Sequence, residues 1–233
     1  MQDILSGTAA VLVYIAIFVP IALILRAVLK LQAEPFRKLL HAIAFCFVVV
    51  CAYGFARWQS AVLFCLIFPL PIYPILAFLE RYPLFRRLTN QRRTGEVKHS
   101  LLSLFFTIAA VLAVCWGWLD DRMLAVASVF AWGFGDGVAA LVGKKYGKHK
   151  IPGSAKSWEG SGAMFLVSLI CTTATLAVRG GLPLWACLTA AAPTAAVAAY
   201  VEFKTPGGHD TITCPLSAMA VLIPMVSLLE GLL

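Results

Sequence analysis

Charge is what this chain has least of. Only 13% of its 233 residues are Asp, Glu, Lys or Arg, and the 11 acids are outnumbered by 19 lysines and arginines. With 61% hydrophobic residues and a mean hydropathy of +0.88, the chain cannot cover a water-facing surface, which excludes a soluble domain. The strict apolar/polar alternation of a β-barrel wall is also missing. The apolar stretches are continuous over about 20 residues, the length of a helical span. None of the seven cysteines forms a CxxC pair or a Cys/His metal spacing. They read as small apolar residues packed between helices, with no disulfide framework and no zinc site. No aromatic-interleaved basic module is present, so nucleic acid is not an expected partner; topology accounts better for the net charge of +8. The first apolar stretch is too long for a signal-peptide core and is kept as structure. Internal repeats, low-complexity segments and soluble linkers are absent, which leaves a single domain over 1–233.

What is there is a set of hydrophobic runs. The pattern predicts an all-α, polytopic membrane protein with about eight transmembrane helices, near 5–29, 39–56, 60–79, 99–119, 122–143, 160–178, 182–200 and 213–230. Of the 19 lysines and arginines, only Arg57, Arg122 and Arg179 fall on one side of these spans. The positive-inside rule then puts both termini outside and the basic side in the cytoplasm. All four histidines and most acids lie at that cytoplasmic end, so a site is expected on the cytoplasmic face. An integral, multi-pass protein of the cell membrane, if bacterial, is implied. Pro69, Pro71 and Pro74 should kink or unwind the third span, since each lacks an N–H donor. Gly135, Ala139, Gly143 and Gly147 recur every four residues along the fifth span, a small-residue ridge suited to close helix contact.

The segment from residue 132 to 165 concentrates the polar chemistry. Asp136 stands among glycines, about two turns before a basic loop. A carboxylate at that depth is costly unless paired, and a bound divalent cation or a lysine partner kept for packing alone would each resolve the cost. The loop runs through Lys144, Lys145, Lys148, His149 and Lys150 to Lys156, Ser157, Glu159, Gly160 and Ser161. Ser157 is placed to cap the sixth span, with Glu159 in its first turn. The N–H groups of that helix start, with Lys156 beside them, favour an anion, and glycines let a backbone approach phosphate closely. The GxxxxGK[ST] spacing of a Walker A loop is absent. Arg37, Lys38 and His41 open the second span, where Arg37 and His41 share a helix face. The two cations read equally as snorkelling anchors. Glu96, Lys98 and His99 precede the fourth span. Glu202 and Asp210 flank the turn between the last two.

At these residues the chain resembles the membrane kinases that phosphorylate lipid alcohols: dolichol kinase, phytol and farnesol kinase, and the yeast-type CTP-dependent diacylglycerol kinase. It is similar, more distantly, to phosphatidate cytidylyltransferase. The segments that carry the resemblance are Arg37-Lys38-Leu39-Leu40-His41, Gly95-Glu96-Val97-Lys98, and Gly135-Asp136-Gly137 through Gly143 and Gly147 to Lys156-Ser157-Trp158-Glu159-Gly160-Ser161. Val201-Glu202 and Asp210 with Pro215-Leu216 complete the order. The Asp-Asn pair that phytol-kinase-like members often carry is Asp210-Thr211 here.

The resemblance implies transfer of a phosphoryl group from CTP or another nucleoside triphosphate, with Mg²⁺, to the hydroxyl of a lipid alcohol in the bilayer. Asp136 and Glu159 would be metal ligands. Lys156, Ser157, Gly160 and Ser161 would handle the phosphates, supported by Arg37, Lys38, Lys98, Gly135, Gly143 and Gly147. The general base is left open among His41, Glu96, Glu202 and Asp210. The lipid is expected to enter between the kinked third span and the glycine ridge of the fifth. Cytidylyl transfer to phosphatidate is the alternative activity, and a transporter the non-enzymatic one; the gathering of acids on one side, without a midspan polar path, speaks against transport.

Overall fold

The computed structural model describes residues 1–89, 95–152, 154, 156–205 and 209–232. Arg92 and Arg93 of the basic stretch before the fourth span lie outside the described residues. Among those described the fold is helical throughout, apart from one isolated bridge between Lys150 and Ser157. Eight helical stretches are long and apolar enough to cross a membrane. The chain separates into two compact units, Met1–Ala113 and Val114–Leu233.

The first unit holds α1 (Gln2–Val28), α2 (Ala33–Gly54), α3 (Trp58–Ile67), α4 (Pro69–Leu79), α5 (Pro83–Thr89) and α6 (Glu96–Leu112). Its centre is aromatic: Phe64 stacks on Phe68 at 4.6 Å between centroids, and Phe105 lies 5.1 Å from Phe47 and 5.6 Å from Phe68. Such pairs prefer offset or tilted geometry, which fixes how the helices rotate against one another. Asp3 accepts hydrogen bonds from the amides of Ala56 (2.6 Å) and Arg57 (3.2 Å), so the start of α1 is tied to the turn between α2 and α3.

The prolines act as expected. α3 stops at Ile67 and α4 restarts at Pro69, where a missing N–H costs nothing because first-turn amides have no intrahelical acceptor. Two features depart from the sequence reading. The second helix begins at Ala33, which brings Glu34, Arg37, Lys38 and His41 into its first turns. The connection after the third span contains a further helix, α5, started by Pro83 in the same first-turn role.

The second unit opens with π-helical turns over Ala113–Trp118 that continue α6, and consists of α7 (Arg122–Tyr146), α8 (Trp158–Arg179), α9 (Leu184–Lys204) and α10 (Asp210–Leu232). Asp121 caps α7, its carboxylate accepting from Leu124 N at 2.8 Å, and Ser157 caps α8, its hydroxyl accepting from Gly160 N at 3.2 Å. The small-residue ridge of α7 is filled by α8. A Cβ on Gly135 would strike the Ser168 hydroxyl and come within 3.0 Å of Met164 Cγ. One on Gly143 would lie 3.1 Å from Ser157 Oγ, and one on Gly160 only 3.0 Å from the Ala139 carbonyl. The ridge is therefore a helix–helix seam between α7 and α8. α9 packs by the same means, with Ala186, Ala190, Ala191, Ala195 and Ala198 fully buried.

Candidate functional site

The ends of α7, α9 and α10 bring three carboxylates together. Asp136 and Glu202 are buried at 9% and 7% exposure, and Asp210, at the start of α10, is half-buried. Asp136 and Asp210 both lie near enough to Glu202 to repel its charge. A lysine pairs with one of the three carboxylates. Lys156 Nζ is 2.8 Å from Glu202 Oε1, and it also donates to the backbone carbonyls of Glu202 and of Thr205, the latter at 3.3 Å. Those carbonyls belong to the last turn of α9 and the residue after it, where a helix leaves acceptors unpaired and the dipole favours a cation. Lys156 thus fastens the segment before α8 to the end of α9 and holds Glu202 among the other acids.

Buried carboxylates such as Asp136 and Glu202 are expensive to keep ionised, because each forfeits its hydration. Mg²⁺ is usually held by one or two carboxylates, with water and substrate phosphate completing an octahedron. Among the described residues, no three His, Cys, Asp or Glu side chains form a ready-made metal cage. Asp136 and Glu202 are carboxylates of the kind that Mg²⁺ takes together with water and phosphate oxygens. A triphosphate also has something to meet at the start of α8: the Ser161 hydroxyl is buried there with no hydrogen-bond partner among the described residues.

The remaining expected site residues divide by what they touch. Glu159 turns to the loop, accepting from the amides of Lys148 (3.2 Å) and His149 (3.1 Å) and pairing with His149 Nδ1 at 2.6 Å, while the acidic neighbours of the Asp136 region are Glu202 and Asp210. Ser157 is 2% exposed, and its hydroxyl serves the helix cap beside Gly143, Gly147 and Gly160. These three glycines accordingly permit close packing around Ser157. Gly147 is the tightest, with a Cβ there only 2.5 Å from Ser157 Oγ.

Arg37, Lys38, His41, Glu96 and Lys98 belong to the first unit, where Arg37 and Lys98 take part in ion pairs. Arg37 pairs with Glu34 at 2.6 Å and lies 3.9 Å from Glu96; Lys98 lies 3.7 Å from Glu80 and its amide donates to the same carboxylate at 3.4 Å. Glu34, Lys38 and Glu80 are buried at 7%, 8% and 3% exposure. Lys98 also sits 5.4 Å from the Tyr73 ring, whose edge meets His99. Glu34 and Glu80 were not among the residues singled out from sequence. The available signal was Glu34 one turn before Arg37 in a helix that starts earlier than its hydrophobic run.

No protein-family model and no solved structure matches the chain. Three curated proteins are similar to it. It is 32% identical over 127 residues to the phytol kinase of Synechocystis sp., covering 53% of this chain and 54% of that protein. It is 30% identical over 94 residues to the chloroplastic phytol kinase 1 of Arabidopsis thaliana, and 29% identical over 92 residues to a probable chloroplastic phytol kinase of Triticum aestivum. These two matches cover 40% and 39% of this chain and 30% of each plant protein. The chain spans about half the length of the cyanobacterial relative and less of the plant ones.

Proposed function

We propose that the protein is a membrane-embedded kinase that phosphorylates the hydroxyl of a lipid alcohol. The observation that carries this is the gathering of Asp136, Glu202 and Asp210, the first two buried, with Lys156 paired to Glu202. Such a set suits a cation that arrives with phosphate, and phosphoryl transfer depends chiefly on positioning and charge neutralisation. The similarity to three phytol kinases supports a lipid-alcohol acceptor and favours an isoprenoid one. The donor is a nucleoside triphosphate, with CTP first in order. Asp136, with Glu202 beside it, would hold Mg²⁺, which would neutralise charge on the phosphate oxygens. Ser161 would donate its unpartnered hydroxyl to the triphosphate. Lys156 positions Glu202. Asp210, the most accessible of the three acids, would take the proton from the attacking alcohol. The oxygen–phosphorus bond to the alcohol forms as the bond to the leaving nucleoside diphosphate breaks. The Lys/Arg distribution supports a cytoplasmic site, with both termini outside.

Purified protein in vesicles, given CTP or ATP with phytol, farnesol, a polyprenol or diacylglycerol, is expected to yield a lipid phosphate and the nucleoside diphosphate. Formation of a CDP-lipid from phosphatidate with release of pyrophosphate, or no turnover of any alcohol, would overturn the reading.

A further inference from the structure

The segment between α7 and α8 is a folded arm. Ile151 N donates to the Lys156 carbonyl and Trp158 N to the His149 carbonyl, both at 3.1 Å, around the bridge of Lys150 with Ser157. Glu159 clamps the near side through the amides of Lys148 and His149, and Lys156 anchors the far side to the end of α9. Glu159 and Lys156 thus both help to hold the arm in place. The cations left outside are Lys144, Lys145, Lys148 and Lys150, all exposed. Among the described residues none of the four pairs with a carboxylate. Exposed rings stand at the same end of the unit. Trp158 and Tyr200 are each 61% exposed and Tyr146 is 58% exposed. Trp158 stacks on Phe203 at 6.0 Å, and Lys204 Nζ lies 5.2 Å from the Phe203 centroid.

We propose that this face is a docking surface for anionic lipid headgroups of the bilayer that the helices cross. The ammonium groups are held on a fixed backbone with no acid to satisfy them, the arrangement by which juxtamembrane basic clusters attract anionic lipid. The rings select a lipid surface over a dissolved anion. Trp158 is the first residue of α8, and Tyr200 and Phe203 lie in the last turns of α9, so all three sit where apolar helices end. Trp and Tyr gain most at that depth, with the ring body in acyl chains and the polar atom in water. The surface does not depend on the kinase reading, because nothing in it requires turnover.

The test is energy transfer from the protein's tryptophans to pyrene-labelled phosphatidylglycerol or pyrene-labelled phosphatidylcholine, with the full chain in phosphatidylcholine nanodiscs. Transfer to the anionic probe should exceed transfer to the zwitterionic one and decline as salt is raised. Replacing Lys144, Lys145, Lys148 and Lys150 together by Gln should lower the anionic preference at least about ten-fold, since each ammonium near a charged surface shifts partitioning about five-fold. Glu159→Gln keeps every lysine but loosens the arm, and should reduce the preference by a smaller factor. Equal transfer to both probes, a wild-type preference insensitive to salt, or a four-lysine variant that keeps its preference would each overturn the proposal. So would loss of the preference on adding CTP or inorganic phosphate, which would assign the cations to a dissolved anion.

Discussion

The two ends of the α7–α10 unit carry the same kind of ionic arrangement and differ in what surrounds it. At one end Arg179 pairs with Asp121 and lies 2.7 Å from Glu230, joining the start of α7 to the ends of α8 and α10. At the other, Lys156 pairs with Glu202 while Asp136 and Asp210 stand near by. In both, a cation is paired with an acid that has further acids near by. Water makes the difference. The Glu230 side chain is 41% exposed, and Asp121 also caps α7, so the surplus charge at that end is solvated or used. Asp136 and Glu202 are buried. An acid surplus in water costs little and the same surplus in a protein interior costs much, so burial separates a structural tie from a site.

Neutralising one acid at each end should break the symmetry most sharply. Asp136→Asn should lower lipid-alcohol phosphorylation by about 10²–10³-fold, the size expected for removing one preorganised charge contact, without lowering the melting temperature. Asp121→Asn should leave turnover per folded molecule unchanged. Equal activity of the two variants would place the chemistry elsewhere. The cations come next. Lys156→Met leaves Glu202 buried among acids without its partner and should cost about 3–5 kcal/mol in unfolding free energy, whereas Lys156→Arg should recover much of it. Arg179→Met leaves Asp121 its helix-cap hydrogen bond and Glu230 its solvent, and should cost about 1 kcal/mol. Thermal melts of the three purified variants decide between these. A loss for Arg179→Met as large as that for Lys156→Met would show that both ends are structural.

Much of this architecture was legible in the sequence because it follows from local rules. Continuous apolar runs gave the spans, Pro69 gave the break between α3 and α4, the four-residue recurrence of Gly135, Ala139 and Gly143 gave a surface for close helix contact without naming α8 as its partner, and Ser157 gave the cap of α8. Pairing between distant segments was not legible. Lys156 finds Glu202, 46 residues away, only because α8 and α9 fold back on each other. The reach of Glu159 back to His149 depends on how the intervening arm closes. The resemblance implies phosphate contact for Lys156 and a metal-ligand role for Glu159. Lys156 contacts Glu202 and Glu159 contacts His149, and the acids near Glu202 are Asp136 of α7 and Asp210 of α10.

The finest distinction at the acidic end lies in the two glycines that flank Asp136. Gly135 is pressed against Met164 and Ser168 of α8, whereas a Cβ on Gly137 would meet nothing within 4 Å. One face of α7 is therefore part of the seam and the other is open beside the carboxylate. Glycine inside a helix is less favourable than alanine by about 0.5–1 kcal/mol, because it has more backbone freedom to lose. A glycine that no packing requires is a small standing cost at the end of the unit already burdened by buried charge. Gly137→Ala should raise stability by about that amount, and Gly135→Ala should lower it. Measured as melting temperatures of the two variants under one condition, opposite signs would confirm that the site-facing side of α7 is left unfilled by the chain itself. A loss for Gly137→Ala would mean that this face is packed, and the open side of the acidic end would have to be sought on another helix.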